Sequence, residues 1–564
     1  MHRLSVKGEK WSAGRLAAAL FAFALFRATP SPANEAQIDA CLRSGRLAAH
    51  LQFLGSDSLR GRAPGTTGGN TAANYIAERL REFGLDPGGS DGSWFQPVPI
   101  HGGLPLPGTR LRIAFPKEGD RRGAELELRL GEDYLLGSIG AGTSIARPAP
   151  VVFVGYGIVA PEYDYDDYRL LDVRNAVVVY LDGEPASFDP SYFAGPEETP
   201  HALPDTKQRQ ALARGARGSI LIRRTGSPEE WSQIQREYGF EHRTLAYDLS
   251  RQLNVVLHEA VADSLLRDSG RSFAEILEMD RAGTMRSFPL RIQASFRGKF
   301  RERDYTSPNV IGFLRGSDPI RREEWVLLSA HYDGLGVGLA VDGDSIYNGV
   351  VDNASGTAAL LEIARALAAG RERLQRSVAF VFTTGEESGL LGATYYCDHP
   401  RVPLHRTVAN LNVDGLAFLD RFEDVVPLTG ERLDLKGLLD GVAGARGLTI
   451  SPVPPVFSQR EEFLRGDHYA FALAGVPAFM VQEGSAYRSL GSGEGLLRLM
   501  QWGSEIYHTP MDDLDQPLRL EAACQHVELL TALAEALAGV AVPPGWAPDS
   551  PHAGARLRTL AEER

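Results

Sequence analysis

The spacing of apolar and polar positions changes twice along this chain. Between residues 38 and 85 it is helical: Leu47, Leu51 and Leu54 share one face, and Ala72, Ile76, Leu80 and Phe83 form a second stripe ending near Gly84. A polar, glycine-rich link, Gly61-Arg-Ala-Pro-Gly-Thr-Thr-Gly-Gly69, separates the two stripes. From about residue 109 to 296 short alternating or apolar runs take over, at 111–115, 124–130, 150–154, 176–181, 218–222 and 288–292. Glycine, proline and aspartate punctuate them, which predicts a β-rich module with one helix over 206–214. Past Ser307 the pattern alternates strand and helix. Strands are expected at 325–330, 378–384, 408–413 and 476–481, and helices at 356–369, 433–445 and 520–537. That alternation predicts a three-layer α/β/α fold whose helices cover a mixed, largely parallel sheet.

The simplest division has a leader at 1–33, the first part of the α/β domain at 34–125 and an inserted β-rich module at 126–297. The main part of the α/β domain follows at 298–543, and a flexible tail at 544–564. With 564 residues the chain is too long for one small domain. Its 43% apolar and 23% charged residues are those of an ordinary globular protein. The net charge of −13 argues against a nucleic-acid partner and gives no reason to seek anionic membranes. Arg3, Lys7, Lys10 and Arg15 precede an apolar core at 16–26, and Ser31-Pro-Ala33 offers small residues for cleavage. This is the pattern of a secretory signal, too short for a membrane span, so a periplasmic or secreted protein without stable membrane insertion is expected. Cys41, Cys397 and Cys524 are too few and too scattered for a disulfide framework or a zinc ribbon; one bridge is possible, and the sequence does not say which.

Candidate chemistry gathers at the ends of the late strands. The strand at 325–330 runs into His331-Tyr-Asp333, and a glycine-rich loop then leads to Asn348-Gly-Val-Val-Asp-Asn-Ala-Ser-Gly356, with Asp352 just before a helix. The strand at 378–384 hands over to Glu386–Glu387, and the strand at 408–413 to Asp414. The loop Tyr507-His-Thr-Pro-Met-Asp-Asp513 adds His508. Taken singly, each has an ordinary reading: a helix cap for Asp352, a turn for Asp414, a solvated first turn for the two glutamates. Together they share one edge, because the carboxyl ends of parallel strands lie on the same side of a sheet. Two imidazoles with several carboxylates and no thiol suit zinc or a similar hydrolytic metal at an open site. Asp342 and Asp344 read as a turn rather than a calcium loop.

These segments resemble the co-catalytic di-zinc peptidase family of secreted bacterial aminopeptidases, glutamate carboxypeptidase and the transferrin receptor ectodomain. His331-Tyr-Asp333, Asp352-Asn-Ala-Ser-Gly356, Gly385-Glu-Glu-Ser-Gly389, Asn412-Val-Asp414 and Tyr507-His-Thr509 stand in family order. Arg60-Gly-Arg-Ala-Pro-Gly65 resembles the family's first segment, and Val154-Gly-Tyr-Gly-Ile158 its inserted protease-associated (PA) domain. The resemblance implies two Zn2+ ions. Asp352 would bridge them, with His331 and Asp414 completing one site and Glu387 and His508 the other. Glu386 would be the general base, Asp333 would hold the His331 ring, and the Asp352–Asn353 peptide would be cis. Tyr487 stands where the family places an oxyanion-donating tyrosine, and Gly466-Asp-His-Tyr469 resembles its substrate-pocket segment, making His468 pocket lining. A secreted aminopeptidase acting on peptides is the leading expectation. The alternatives are a carboxypeptidase for acidic C-terminal residues served by Arg460, Arg465 or Arg488, a glutaminyl cyclase-like enzyme, and a non-catalytic binding ectodomain.

Overall fold

The computed structural model describes residues 32–562 except 117–122, 190, 196–197, 226, 249–251, 268, 430–432, 458–462 and 492. The leader expected at 1–33 therefore lies almost wholly outside the described residues.

Two sheets organise the chain. The larger has ten strands. At its centre Ser377–Thr383, Trp325–His331, Thr407–Asn412 and Ala478–Glu483 pair in parallel. The flanks are antiparallel. Phe300–Leu314 runs beside Ser377–Thr383 on one side, and Asp424–Leu428 beside Ala478–Glu483 on the other. The sheet is thus mixed: four central strands are parallel, and the edge strand Thr449–Ile450 pairs in parallel with Asp424–Leu428. The four central strands are apolar on both faces, as double burial requires. Their alternation divides the core: Val326, Leu328, Phe380 and Phe382 face one layer, Leu327 and Val381 the other. The first layer includes helices Arg46–Leu54, Thr67–Glu82, Gly356–Ala369 and Leu520–Gly539, and the second Leu391–Asp398 and His468–Leu473.

The smaller sheet has eight strands, from Glu125–Leu128 at one edge to Tyr134–Leu136 at the other. Its place in the chain corrects the expected boundary at 125/126. Arg110–Ala114 pairs with Phe288–Arg297 and Glu125–Leu128, so the second unit takes in this strand as well. Two long strands, Phe95–Pro105 and Phe300–Leu314, carry the chain out of the first sheet and back, paired from Phe95↔Val310 to Pro105↔Phe300. His242–Leu245, although within 126–297, pairs with Phe95–Pro105 and belongs to the first sheet.

The tail is a second correction. Residues Ala553–Ala561 form a helix anchored on the first unit. Arg556 donates to Leu404 O and Thr407 O, both at 3.1 Å, and Thr559 Oγ1 to Ala474 O at 2.7 Å. The tail supplies donors to carbonyls that the neighbouring helix and strand ends leave open. Cys41 and Cys524 form a disulfide between helices Pro32–Ser44 and Leu520–Gly539, and Cys397 is free. Among the described residues no helix is long and apolar enough to cross a membrane.

Candidate metal centre

The carboxyl ends of the central strands bring the separated motifs together. His331 is the last residue of Trp325–His331, and its carbonyl accepts from Thr357 Oγ1 at 2.8 Å. Glu386 and Glu387 begin a single turn after Ser377–Thr383, introduced by Gly385 at φ 71, a left-handed position that glycine accepts without strain. Asp414 follows Thr407–Asn412, two residues on. His508 lies in a loop with φ 56, unusual for a side-chain-bearing residue and a conformation that surrounding structure must impose.

Two triads result: His331, Asp352 and Asp414, and Asp352, Glu387 and His508, in each of which the potential ligand atoms lie within 4.8 Å of one another. Asp352 belongs to both. Its Oδ1 is 3.2 Å from His331 Nε2 and its Oδ2 3.3 Å from His508 Nε2. Asp414 Oδ1 lies 3.2 Å from His331 Nε2, and Glu387 Oε2 3.1 Å from His508 Nε2. Glu386 stands in neither triad, its Oε2 3.9 Å from His331 Nε2. Asp333, fully buried, has Oδ1 3.7 Å from His331 Nδ1 and accepts from Glu386 N at 3.3 Å.

The neighbouring peptides are fixed by side chains. The Asp352–Asn353 bond is cis. Asn353 Oδ1 accepts from Gly356 N at 2.9 Å and Gly415 N at 2.8 Å, and its Nδ2 donates to Val413 O at 3.0 Å, tying the Asp352 loop to the Asp414 loop. Asp512 accepts from Val351 N at 2.9 Å and Asp352 N at 3.0 Å. Gln482 Nε2 donates to Asp414 O.

The electrostatics are those of crowded carboxylates. Burial alone would push the His331 ring down, but Asp414 and Glu386 outweigh it and raise it well above its ordinary value. His508 is raised likewise, against burial, by Glu387 and Asp352. Burial raises Glu386 well above a normal glutamate, and Asp414 and Glu387 add to the rise. A divalent cation would take over the charge compensation that these groups otherwise draw from protons. The residues fit such an ion by type as well as placement: His508 Nε2 is buried without a hydrogen-bond partner and faces two carboxylates.

Two expectations, for Tyr487 and His468, are not met by position. Tyr487 is 5% exposed in the main core, its hydroxyl unpartnered and its charged neighbours Glu483, Asp424 and Asp420 rather than the triads. His468 is wholly buried against Phe463 at 4.8 Å, so it lines no opening, and burial pushes its ring down to about 3. Of the three arginines, Arg488 lies 3.6 Å from Glu35, Arg460 is outside the described residues, and Arg465 reaches Tyr507, its Nη2 3.3 Å from the hydroxyl. Tyr507 and Asp512 are the residues that sequence reasoning missed. Tyr507 stacks on His508 with ring centroids 3.8 Å apart, and Asp352, Glu387 and Glu386 all bear on its hydroxyl. Both stand in the His508 loop, which was the one signal available for them.

The fold and the site define an α/β/α sheet protein with a carboxylate–imidazole centre at the carboxyl ends of its parallel strands. Residues 309–534 match the model of peptidase family M28. The mouse (Mus musculus) protein "Aminopeptidase NAALADL1" is 36% identical over 118 residues, 20% of this chain and 14% of its own length. "Aminopeptidase YwaD" of Bacillus subtilis (strain 168) is 34% identical over 110 residues, 19% of this chain and 22% of its own length. The chain thus spans less than a quarter of either curated relative. A solved structure, "Aminopeptidase from Aneurinibacillus sp. strain AM-1", superposes with a TM-score of 0.53 at 19% identity, over 89% of this chain and 95% of that one, and so shares the fold.

Proposed function

We propose that this protein is a secreted or periplasmic zinc metallopeptidase that releases N-terminal residues from peptides. The observation that carries the reading is the division of Asp352, one oxygen toward His331 and the other toward His508. One carboxylate shared between two ligand triads is what a pair of adjacent cations would require. His331, Asp352 and Asp414 would hold one Zn2+, and Asp352, Glu387 and His508 the second. Bound there, the ions would polarise the scissile carbonyl and lower the pKa of water.

The chain's own groups do the rest. Glu386, outside both triads and made more basic by burial, accepts the proton of the attacking water and returns it to the leaving amine. Asp333 orients the His331 ring and, through the Glu386 amide, the turn that carries the base. The Tyr507 hydroxyl, beside Arg465, is placed to donate to the oxygen that becomes negative as the carbonyl is attacked. The relatives named as aminopeptidases support a free rather than a blocked N-terminus as the substrate. The apolar leader and the Cys41–Cys524 disulfide both suit an oxidising compartment outside the cytosol.

The test is to assay purified mature protein on aminoacyl, N-blocked and C-terminally acidic peptides, with and without chelator, beside Glu386→Ala. Cleavage of free N-termini, lost on chelation, restored by Zn2+ and reduced roughly 10²–10⁴-fold in Glu386→Ala, is expected. Chelator-resistant cleavage would remove the metal, and release of acidic C-terminal residues from N-blocked peptides would replace the aminopeptidase reading with a carboxypeptidase.

A further inference from the structure

Arg62 is among the least exposed large side chains of the protein, at 1%. It lies far upstream of the centre, in the turn that follows the first helices. Arg60, Gly61 and Arg62 all take left-handed φ values of 48, 67 and 51, which turn the backbone and send this side chain inward. A Cβ on Gly61 would lie 2.4 Å from Tyr347 O and 2.5 Å from Gly336 O, so the turn is seated directly on the hairpin formed by strands Gly336–Val341 and Asp344–Tyr347.

The hydrogen bonds described for the guanidinium all go to backbone carbonyls. Nε donates to Tyr332 O at 2.9 Å, Nη1 to Leu54 O at 2.7 Å and Asn348 O at 2.5 Å, and Nη2 to Gly349 O at 2.9 Å. Tyr332 stands between His331 and Asp333, and Asn348–Gly349 open the loop that delivers Asp352. Asn348 strengthens the link, its Nδ2 donating to Gly55 O and Asp57 Oδ1 at 2.9 Å each. Asp333, Asp352, Glu387 and Asp512 provide the negative field that makes a buried permanent cation tolerable here. A planar fork with five N–H groups can reach three separate strands of backbone at once; a lysine ammonium, a point charge on a flexible stem, cannot.

We propose that Arg62 is a positioning residue of the metal centre, fastening the loops that carry His331, Asp333 and Asp352 so that the ligand geometry is set before a metal arrives. This rests on the reading of those residues as ligands. It assigns to the first segment of the chain, outside the family-matched residues 309–534, a direct part in building the site.

The test compares Arg62→Lys with Arg376→Lys in the full mature protein. Arg376 is similarly buried, at 2% exposure, but bonds Glu324 and Val540 O rather than the site. Zn2+ affinity is measured by chelator competition, and hydrogen exchange is followed in the metal-free wild type. Arg62→Lys is expected to weaken Zn2+ binding about 10–100-fold, the usual effect of losing a group that orients metal ligands. Arg376→Lys should lower the melting temperature and leave affinity within about twofold. In the metal-free wild type, the amides of Val350, Val351 and Asp352, all bonded to Asp512, should already be protected. Unchanged affinity in Arg62→Lys, or an equal loss in Arg376→Lys, would overturn the proposal. If Arg62→Lys does not fold, exchange decides: rapid exchange of those amides until Zn2+ is added would overturn it, and protection without metal would sustain it. A wild type that binds no divalent ion would instead remove the ligand reading itself.

Discussion

On the proposed function, Tyr507 and Glu386 would divide the demands of amide hydrolysis between a hydrogen-bond donor and a base. If the Tyr507 hydroxyl meets the developing oxyanion, Tyr507→Phe removes an interaction made only in the transition state. The expected outcome is a fall in kcat of about 10²-fold or more with KM little changed, read from steady-state kinetics on an aminoacyl substrate. Tyr487→Phe should leave kcat within about twofold, because its ring lies in the core beside Glu483 and Asp424. The contrast explains which residues the sequence exposed. His331, Asp352, Glu386, Glu387 and Asp414 each stand at or near the junction of two elements, so period and punctuation pointed at them. The parts of Tyr507, Asp512 and Arg62 depend on what lies across the fold: the Arg465 guanidinium, two backbone amides and the carbonyls of distant loops. No spacing along the chain encodes those partners.

Helix Gly356–Ala369 starts beside Asp352 and packs against Arg46–Leu54 around a buried carboxylate, Glu362. Arg46 Nε lies 3.2 Å, Arg365 Nη2 3.0 Å and His50 Nε2 3.6 Å from its oxygens. Burial works against its charge, but the His50 ring beside it and hydrogen bonds from Arg365 and Arg46 hold the carboxyl down to about 2 against an ordinary 4.5. The folded value is the lower one, so the stabilisation is complete above about pH 4.5 and is lost as pH falls toward 2. Unfolding free energy measured over that window should fall less steeply in Glu362→Gln than in the wild type, and the variant should be the less stable of the two at pH 7. A steeper dependence in the variant would reverse the assignment. The long periodic elements of this layer were legible because helical spacing and burial agree along them. The hairpin Gly336–Val341 and Asp344–Tyr347, read from its glycines as a loop with a turn at Asp342, was not. Nor was helix Glu494–Glu505, in which only Gly495 is buried and no clean apolar stripe faces a core. The strand Arg110–Ala114 was legible as a strand but not in its allegiance, since sheet membership is decided by a partner near residue 290.

At the scale of the whole molecule, one covalent link spans almost the entire described chain. Cys41 and Cys524 are 483 residues apart and close a loop that contains both sheets and every proposed ligand. The chain-entropy argument assigns such a loop roughly 6 kcal/mol as an upper bound, against about 2–4 kcal/mol for typical disulfides. The contribution should not be uniform. Both cysteines sit in helices of the first unit, Cys524 in its main core and Cys41 against it, while the second unit has its own clusters. The link also holds helix Pro32–Ser44 against Leu520–Gly539, where Arg421 donates to both Glu35, at 3.0 Å, and Gln525, at 2.9 Å. Cys41→Ser should therefore lower the melting temperature of the first unit by several degrees. It should also open the chain near Arg43 and Arg46 to trypsin, and leave exchange protection in the Val177–Leu181 and Gly218–Arg223 strands of the second sheet close to wild type. Reductant should reproduce the effect in the wild type and add nothing in the variant. If Cys41→Ser loosened both sheets equally, the two units would be a single cooperative block. The strand pair Phe95–Pro105 and Phe300–Leu314, which runs from one sheet toward the other, would then be the element that couples them.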